Sequence, residues 1–366
     1  MLPKFKPTKM NEIDSANITI EKTEKSNLQT TDFANLKFGE TKSDHMFIAK
    51  FENGAWQNLE VKPFQNLSLS PSCIALHYGQ SIFEGLKAFR NLDGKIAVFR
   101  PDKNAERLQR SATRMAMEPV PTEIFLEGLR TLLSVDSAWV PNGEDKSLYI
   151  RPFQFGDEPN IGVRASDSYT FIIFTSPAGK YYSKDVSVFV HDDYVRAVRG
   201  GAGMAKAAGN YGPTLLPAAQ VREKGYDQIL WTHIVDGTRY VQEIGTMNFF
   251  VQIDDVLITP SLDSSILEGI TRESLIQLAR DKGVIVEERM LSSEELFTAA
   301  REGRIQDAFG AGTAAVITHI ASIGTDEEHI DLKPVSERTL AHELKKELTD
   351  IQRGIAPDRY NWMMTI

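Results

Sequence analysis

A mixed α/β (α+β) chain of two domains is what this sequence predicts, on three observations. From Phe47 onward strand-like and helix-like patterns alternate, with no internal repeat or low-complexity tract between them. The length of 366 residues exceeds one ordinary core and suits two. The polar, Pro- and Gly-bearing stretch TSPAGKYYSKD, following the apolar run YTFIIFT, has the composition of a linker. The expected divisions are therefore a flexible extension over 1–33, a small N-terminal α/β domain over 34–175, an interdomain linker over 176–185 and a large C-terminal domain over 186–366. The extension is polar, mixed in charge and without a sustained apolar period.

Each element has a local reason. Asp93-Gly94 joins KAFR to IAVFR, and the glycine supplies the positive φ of a tight hairpin. Pro101 opens a helix as a preorganised first residue, with Ala105, Leu108, Ala112 and Met115 on one face. Arg107 lies about 100° around from Leu108, at the edge of that stripe, where it can reach into a crevice. A second amphipathic helix over 123–138 buries Phe125, Leu129, Leu132 and Leu133. Beyond the linker, QILWTHIVDGTRYVQEIG is a hairpin turning at Asp236-Gly237, and NFFVQIDDVLITP reads as a strand. Gly269 and Thr271 precede a helix through Leu275, Leu278 and Ala279 that Gly283 ends, and Ser292 with Glu295 forms a capping box for the next.

Composition narrows the function. Hydrophobic residues make up 42% and charged residues 25%, an ordinary globular balance. The formal charge of −9 argues against nucleic acid, whose phosphates need clustered Lys and Arg. Cys73 is the only cysteine, which rules out an intramolecular disulfide or a thiolate metal cluster within one chain. The first arginine is Arg90, and Glu12, Asp14, Glu21 and Glu24 precede it, unlike an Arg-rich transit peptide. No apolar run is long enough for a signal core or a membrane span, so a cytoplasmic location is expected. The seven histidines are scattered and no HExxH motif is present, so no metal is expected.

Three glycine-containing stretches are candidate phosphate cradles: GGAGMAK at 200–206, LEGITRES at 267–274 and FGAGTAA at 309–315. The first fails the P-loop pattern, because its lysine is not followed by Ser or Thr. The third matches the dinucleotide fingerprint at Gly310, Gly312 and Ala315, but too little chain follows for a further mononucleotide-binding unit. In the second, a glycine, Thr271 and an amphipathic helix aim free N–H groups and a positive dipole at one point, although an ordinary capped helix has the same look.

Together these motifs carry a resemblance. GGAGMAKAAGNYGP, then VQEIGTMNFF, LEGITRES and FGAGTAAV, with FGETKSDHM, HYGQSIFEGLKAFR, NAERLQRSA and YIRPFQFGDEPNIGV upstream, strongly resemble the branched-chain amino acid aminotransferases of pyridoxal-phosphate fold type IV. The likeness covers roughly residues 35–366. It implies a two-domain fold like that of D-amino-acid aminotransferase, pyridoxal 5'-phosphate in the interdomain cleft, a homodimer, and ping-pong transfer of the amino group of L-leucine, L-isoleucine or L-valine to 2-oxoglutarate, giving glutamate. Within that fold the alternatives are a D-amino-acid aminotransferase or an aminodeoxychorismate lyase, typically shorter and lacking FGETKSDHM. Outside it stand an NAD-dependent oxidoreductase built on FGAGTAA and a non-catalytic binding protein.

The resemblance also implies roles, position by position. Lys206 is the amine that forms the Schiff base, Glu243 faces the pyridine nitrogen, and Tyr211 faces the phenolic oxygen. Arg107, the N–H groups of Ile270 and Thr271, and the Thr313 hydroxyl form the phosphate clamp, with Arg100 the rival to Arg107. Thr246 belongs to both the cofactor and the substrate set. Phe38, Tyr78, Phe83, Tyr149, Arg151, Tyr211 and the Thr313-Ala314 turn meet substrate, and Ile161, Val163 and Tyr78 reach across the dimer interface. Taken alone, each aromatic reads as plain core and each charge as solvated. Animal members carry a Cys-x-x-Cys redox pair where this chain has Ala315 and Thr318, so thiol regulation of that kind is not expected.

Overall fold

Runs of Val, Ile, Phe and Thr bounded by Gly, Asn and Asp fold as strands, and three- and four-residue apolar spacings fold as helices. The computed structural model describes residues 18–179, 184–191 and 193–366. In chain order its first elements are β1 (Thr19–Ile20), β2 (His45–Glu52), β3 (Ala55–Pro63), α1 (Ile74–Tyr78), β4 (Ser81–Phe83), β5 (Leu86–Arg90), β6 (Ile96–Phe99), α2 (Pro101–Arg114), α3 (Thr122–Val135), β7 (Ser147–Gly156) and β8 (Tyr169–Ala178). They continue as β9 (Val186–Val190), α4 (Leu215–Glu223), β10 (Gln228–Val235), β11 (Thr238–Ile244), β12 (Met247–Ile253), β13 (Val256–Thr259), α5 (Ile270–Asp281) and β14 (Ile285–Glu288). The last are α6 (Ser293–Arg301), β15 (Ile305–Gly312), β16 (Val316–Gly324), β17 (His329–Asp331), α7 (Leu340–Gln352) and β18 (Met363–Thr365). Two compact units result, one running to Arg90 and including 100–179 and 364–366, the other comprising the remainder. The stretch 91–99 groups with the second unit, where the Phe99 ring lies 5.7 Å from that of Trp362.

In the first unit the strands run β1-β3-β2-β8-β7-β5, with β4 also beside β7. Pairing is antiparallel except where Thr19 and Ile20 run parallel to Glu60 and Val61. Helix α3 covers β2 and β3, and its Phe125, Leu129, Leu132 and Leu133 are fully buried as their spacing predicts. The Phe125 ring stacks on Phe171 at 5.9 Å, and Phe47 meets Phe171 edge-on at 6.2 Å. Gly128 permits this approach, because a Cβ there would sit 2.5 Å from the Phe47 ring.

In the second unit the order is β11-β10-β9-β16-β15-β12-β13-β14. A further pairing of β11 with β12, Glu243 opposite Asn248 and Ile244 opposite Met247, closes six of these strands into a ring. Val188, Leu230, Ile244, Phe249, Val251 and Ile320 fill one core with Leu296 of α6, while α5 and α7 pack together over β15.

Several elements differ from expectation for identifiable reasons. NFFVQIDDVLITP is two strands, β12 and β13, because Asp254 adopts a φ of 53° and reverses the chain. Helix α3 stops at Val135, and a 3-10 turn occupies Ser137–Trp139. Ser176–Ala178, read as linker, complete β8 by pairing with Tyr149, Leu148 and Ser147. Ser292 caps α6 by accepting the Glu295 N–H at 3.1 Å, but the Glu295 carboxylate turns to Arg289 instead of closing the box. FGAGTAA is a strand–turn–strand, without the helix that a dinucleotide fingerprint requires. Part of the expected loose extension is fastened: the Thr23 N–H donates to His45 Nε2 at 2.9 Å and the Asn27 N–H to Asp44 at 2.9 Å. Residues 1–17 of that extension and 180–183 of the expected linker lie outside the described residues.

Candidate active site

Hairpin geometry in the second unit places the first of the site residues. The two-residue connection Gly245-Thr246 joins β11 to β12 with Gly245 at a φ of 54°, and Trp231 Nε1 donates to the Gly245 carbonyl at 2.9 Å. This tight turn brings Glu243 and Thr246 to one end of the strand pair. Both line a small cavity with Tyr211, Arg196, Asn210 and Leu267.

Lys206 enters from the loop preceding the 3-10 turn Ala208–Asn210. Its neighbours Ala205 and Ala207 are buried and anchor the backbone, and the Asn210 amide donates to the carbonyls of Ala202 and Ala205 at 2.8 and 2.9 Å. Lys206 Nζ donates to the Tyr211 hydroxyl at 3.1 Å. A half-buried amine and a phenol five residues on are thus held in hydrogen-bond contact.

Glu243 is 3% exposed, and a carboxylate is stable there only with charged or hydrogen-bonding partners. Its Oε1 accepts the Leu267 N–H at 2.8 Å and lies 3.2 Å from Arg196 Nη2. Asn248, opposite Glu243 in register, donates to the Leu267 carbonyl at 2.9 Å, so both backbone groups of one residue are held, one from each strand. Arg196 also donates to the carbonyls of Ser265 and Gly203. Arg196, Asn210, Asn248 and Trp231 were missed from the sequence: Trp231 and Asn248 read there only as strand residues, and Arg196 and Asn210 belong to no periodic pattern. The only signal for Asn210 was its place inside GNYGP.

The remaining second-unit candidates sit on other elements. Ile270 and Thr271 form the first turn of α5 behind Gly269, an N-cap without a side-chain bond, so their N–H groups carry the positive dipole end. A Cβ at Gly269 would fall 1.9 Å from Asn248 Oδ1, so glycine alone allows this approach. Thr313 and Ala314 lie in the turn between β15 and β16. None of these four lines the cavity shared by Tyr211, Glu243 and Thr246.

In the first unit four predicted residues form one cluster. The Arg151 guanidinium lies 4.7 Å from the Phe83 ring centroid and 5.3 Å from that of Tyr149, and its Nη2 donates to the Tyr149 hydroxyl at 2.9 Å. Phe38 meets Tyr149 edge-on at 4.8 Å. Gly85 is required beneath them, because a Cβ there would overlap the Tyr149 hydroxyl at 2.3 Å. Tyr78 is separate and donates to the Ile161 carbonyl, while Ile161 and Val163 are 67% and 86% exposed.

Arg107 departs from expectation. It is buried, not at the edge of the α2 stripe, and forks onto Glu84 with Nε and Nη2 each 2.8 Å from a carboxylate oxygen. Asn104 donates to the same carboxylate at 2.7 Å. A wholly buried carboxylate needs a bidentate cation, which explains why the arginine turns inward. Glu84 escaped notice because it stands in a short strand connection with no partner in sequence range. Arg100, the rival, is the buried N-cap of α2 at a φ of 45°. A wider hollow of this unit, about 960 Å³ and lined by Phe51, Glu118, Asp167 and Tyr169 among others, contains none of the predicted residues.

Known proteins resemble this chain in sequence and in fold. The family Amino-transferase class IV matches residues 81–323. Branched-chain-amino-acid transaminase 1 of Bacillus subtilis (strain 168) is 42% identical over 340 residues, spanning 92% of this chain and 95% of its own. The branched-chain aminotransferase of the archaeon Thermoproteus uzoniensis, solved with norvaline, superposes with a TM-score of 0.70 at 26% identity, over 88% of this chain and 99% of its own. The T.th. branched-chain amino acid aminotransferase, solved with N-(5'-phosphopyridoxyl)-L-glutamate, gives 0.68 at 25% identity, over 87% and 97%.

Proposed function

The chain belongs to the class IV aminotransferases, and from that premise we propose that it is a pyridoxal-phosphate-dependent branched-chain amino acid aminotransferase, moving the amino group of L-leucine, L-isoleucine or L-valine to 2-oxoglutarate. One observation carries the reading: Lys206 Nζ is in hydrogen-bond contact with Tyr211, which lines a small cavity together with the buried, doubly held Glu243.

The residues present fit the cofactor. An amine suits its aldehyde, the Tyr211 hydroxyl its phenolic oxygen, the Glu243 carboxylate its ring nitrogen, and the uncapped start of α5 at Ile270 and Thr271 its phosphate, with Thr313 and Arg107 assigned to the same group. When bound, pyridoxal phosphate supplies an aldehyde that captures amines and a ring that accepts the electron pair of a breaking C–H bond. Lys206 Nζ would hold the cofactor through its aldehyde when neutral, and as a free amine it would be the group that takes up and gives back the proton of the substrate Cα. Glu243, whose Oε1 lies beside the Arg196 guanidinium and accepts the Leu267 N–H, would face the ring nitrogen of the cofactor and favour a proton there. Tyr211 orients Lys206 and Thr246 borders the same space.

The dual substrate demand fits the first-unit cluster. Phe38, Phe83 and Tyr149 offer apolar walls to branched side chains, and Arg151 with the Tyr149 hydroxyl offers charge and hydrogen bonds to the distal carboxylate of glutamate. Glu84 orients Arg107. We assign Tyr78, Ile161 and Val163 to a homodimer interface through which they complete the partner's substrate site, and Ala314 with Thr313 to the substrate carboxylate turn. A cytoplasmic location agrees with the lone, buried Cys73.

The test is Lys206→Ala. The variant loses both turnover and the visible absorbance of the bound cofactor, whereas a normal band with normal turnover refutes the assignment.

A further inference from the structure

We propose that Gln242 is a positioning residue of the active site, acting through Ser265 and Arg196 on Glu243. The proposal rests on the assignment of Glu243 to the ring nitrogen of the cofactor. Successive side chains of a strand point to opposite faces, so where Glu243 lines the cavity, Gln242 is sent the other way. There it is fully buried, and its amide Nε2 donates twice, to Ser265 Oγ at 2.7 Å and to the Ala197 carbonyl at 3.1 Å.

Both acceptors concern Arg196. Ala197 is its chain neighbour, and the Ser265 carbonyl is one of its own acceptors. Ser265 is itself fixed by Asp263, which accepts its N–H at 2.9 Å and its hydroxyl. From Arg196 Nη2 the chain of contacts returns to Glu243 Oε1 at 3.2 Å, so the circuit starts and ends on adjacent residues of β11. The same turn also steadies the loop of the catalytic lysine: Ser264 Oγ accepts the Gly200 N–H at 2.9 Å, and its carbonyl accepts the Met204 N–H at 3.0 Å. The two loops approach so closely that a Cβ at Gly203 would meet the Ser265 carbonyl oxygen at 2.2 Å.

A guanidinium that drifts from Glu243 weakens the preference of that carboxylate for its ionised form, and with it the protonation of the ring nitrogen. The substrate-contacting groups are unaffected. The signature is therefore a loss in kcat with KM preserved, together with a changed titration of the bound cofactor.

The experiment uses protein loaded with pyridoxal 5'-phosphate, as wild type, Gln242→Met, Ser265→Ala and the double variant. Methionine keeps the volume of glutamine and deletes its donors, which separates positioning from space-filling. Three quantities are read: the pH midpoint of the visible band, the dissociation constant for pyridoxal 5'-phosphate, and kcat and KM with L-leucine and 2-oxoglutarate. The expected result for either single variant is a midpoint moved by about half a pH unit or more, kcat down about ten-fold with KM within about two-fold, and cofactor affinity weakened about three-fold or more. The double variant is no worse than the more severe single, since both break one circuit. If Gln242→Met does not fold, Ser265→Ala carries the same thresholds. A wild-type band that titrates identically in both single variants, with wild-type kcat and affinity, overturns the brace and leaves the functional reading standing. A wild-type protein with no visible band overturns both.

Discussion

His319 is a buried imidazole on β16, its ring 4.3 Å from that of His342, with Nδ1 lacking a hydrogen-bond partner among the described residues. Burial first, and then the charges of His342, Lys345 and Arg338, push its pKa down from 6.5 to about 4. Between those two values the unfolded chain binds the proton that the folded chain refuses. The stability contributed by a neutral His319 is therefore complete above pH 6.5 and declines as the pH falls toward 4, with a slope of at most about 1.4 kcal/mol per pH unit. Urea unfolding midpoints measured across this window should fall in the wild type and flatten in His319→Gln; equal slopes in the two proteins would count against the assignment. At this scale motifs carried the reading at Lys206, Tyr211, Glu243 and Thr246; the last three line one cavity, and Lys206 meets it through its hydrogen bond to Tyr211. The sequence was silent on Arg196 and Glu84, because a charge that meets its partner across many residues leaves no local spacing to read.

Among elements, the contact of α3 with β2 sets two effects against each other. Replacing Gly128 by alanine gains up to about 1 kcal/mol of helix propensity. Against this, the new Cβ would stand 2.5 Å from the ring of Phe47, which is wholly buried against Phe171 and has nowhere to turn. Overpacking of that kind costs about 1–3 kcal/mol. With a Cβ only 2.5 Å from the ring the cost falls in the upper part of that range, and the expected balance is a net loss of up to about 2 kcal/mol, seen as a lower thermal midpoint for Gly128→Ala; an unchanged or raised midpoint would show that α3 can move away. The hairpin at Asp236-Gly237, the start of α2 at Pro101 and the end of α5 near Gly283 were legible because each depends on one residue's φ or missing donor. The break between β12 and β13 was not, since it turns on Asp254, a residue that enters the left-handed region without announcing it. The closure of six strands into a ring was equally hidden, because it depends on pairings between segments far apart in the chain.

For the whole molecule, the exposed apolar surface of the first unit matters most. Leu76, Ile161 and Val163 are each more than half exposed, and Tyr78 nearly so, which soluble monomers rarely tolerate in numbers. Sedimentation velocity should find a dimer, and the paired change Ile161→Asp with Val163→Asp should yield monomers with activity reduced about ten-fold or more; a fully active monomeric wild type would end the interface assignment. The parallel pairing of Thr19 and Ile20 with Glu60 and Val61 has a different consequence. Without it, β3 would be the outermost strand of its sheet, offering unmet amides and carbonyls to any extended peptide that drifted past. Two residues near the start of the described chain thus act as a built-in competitor at Glu60 and Val61, occupying part of a seam open to strand-by-strand association between copies.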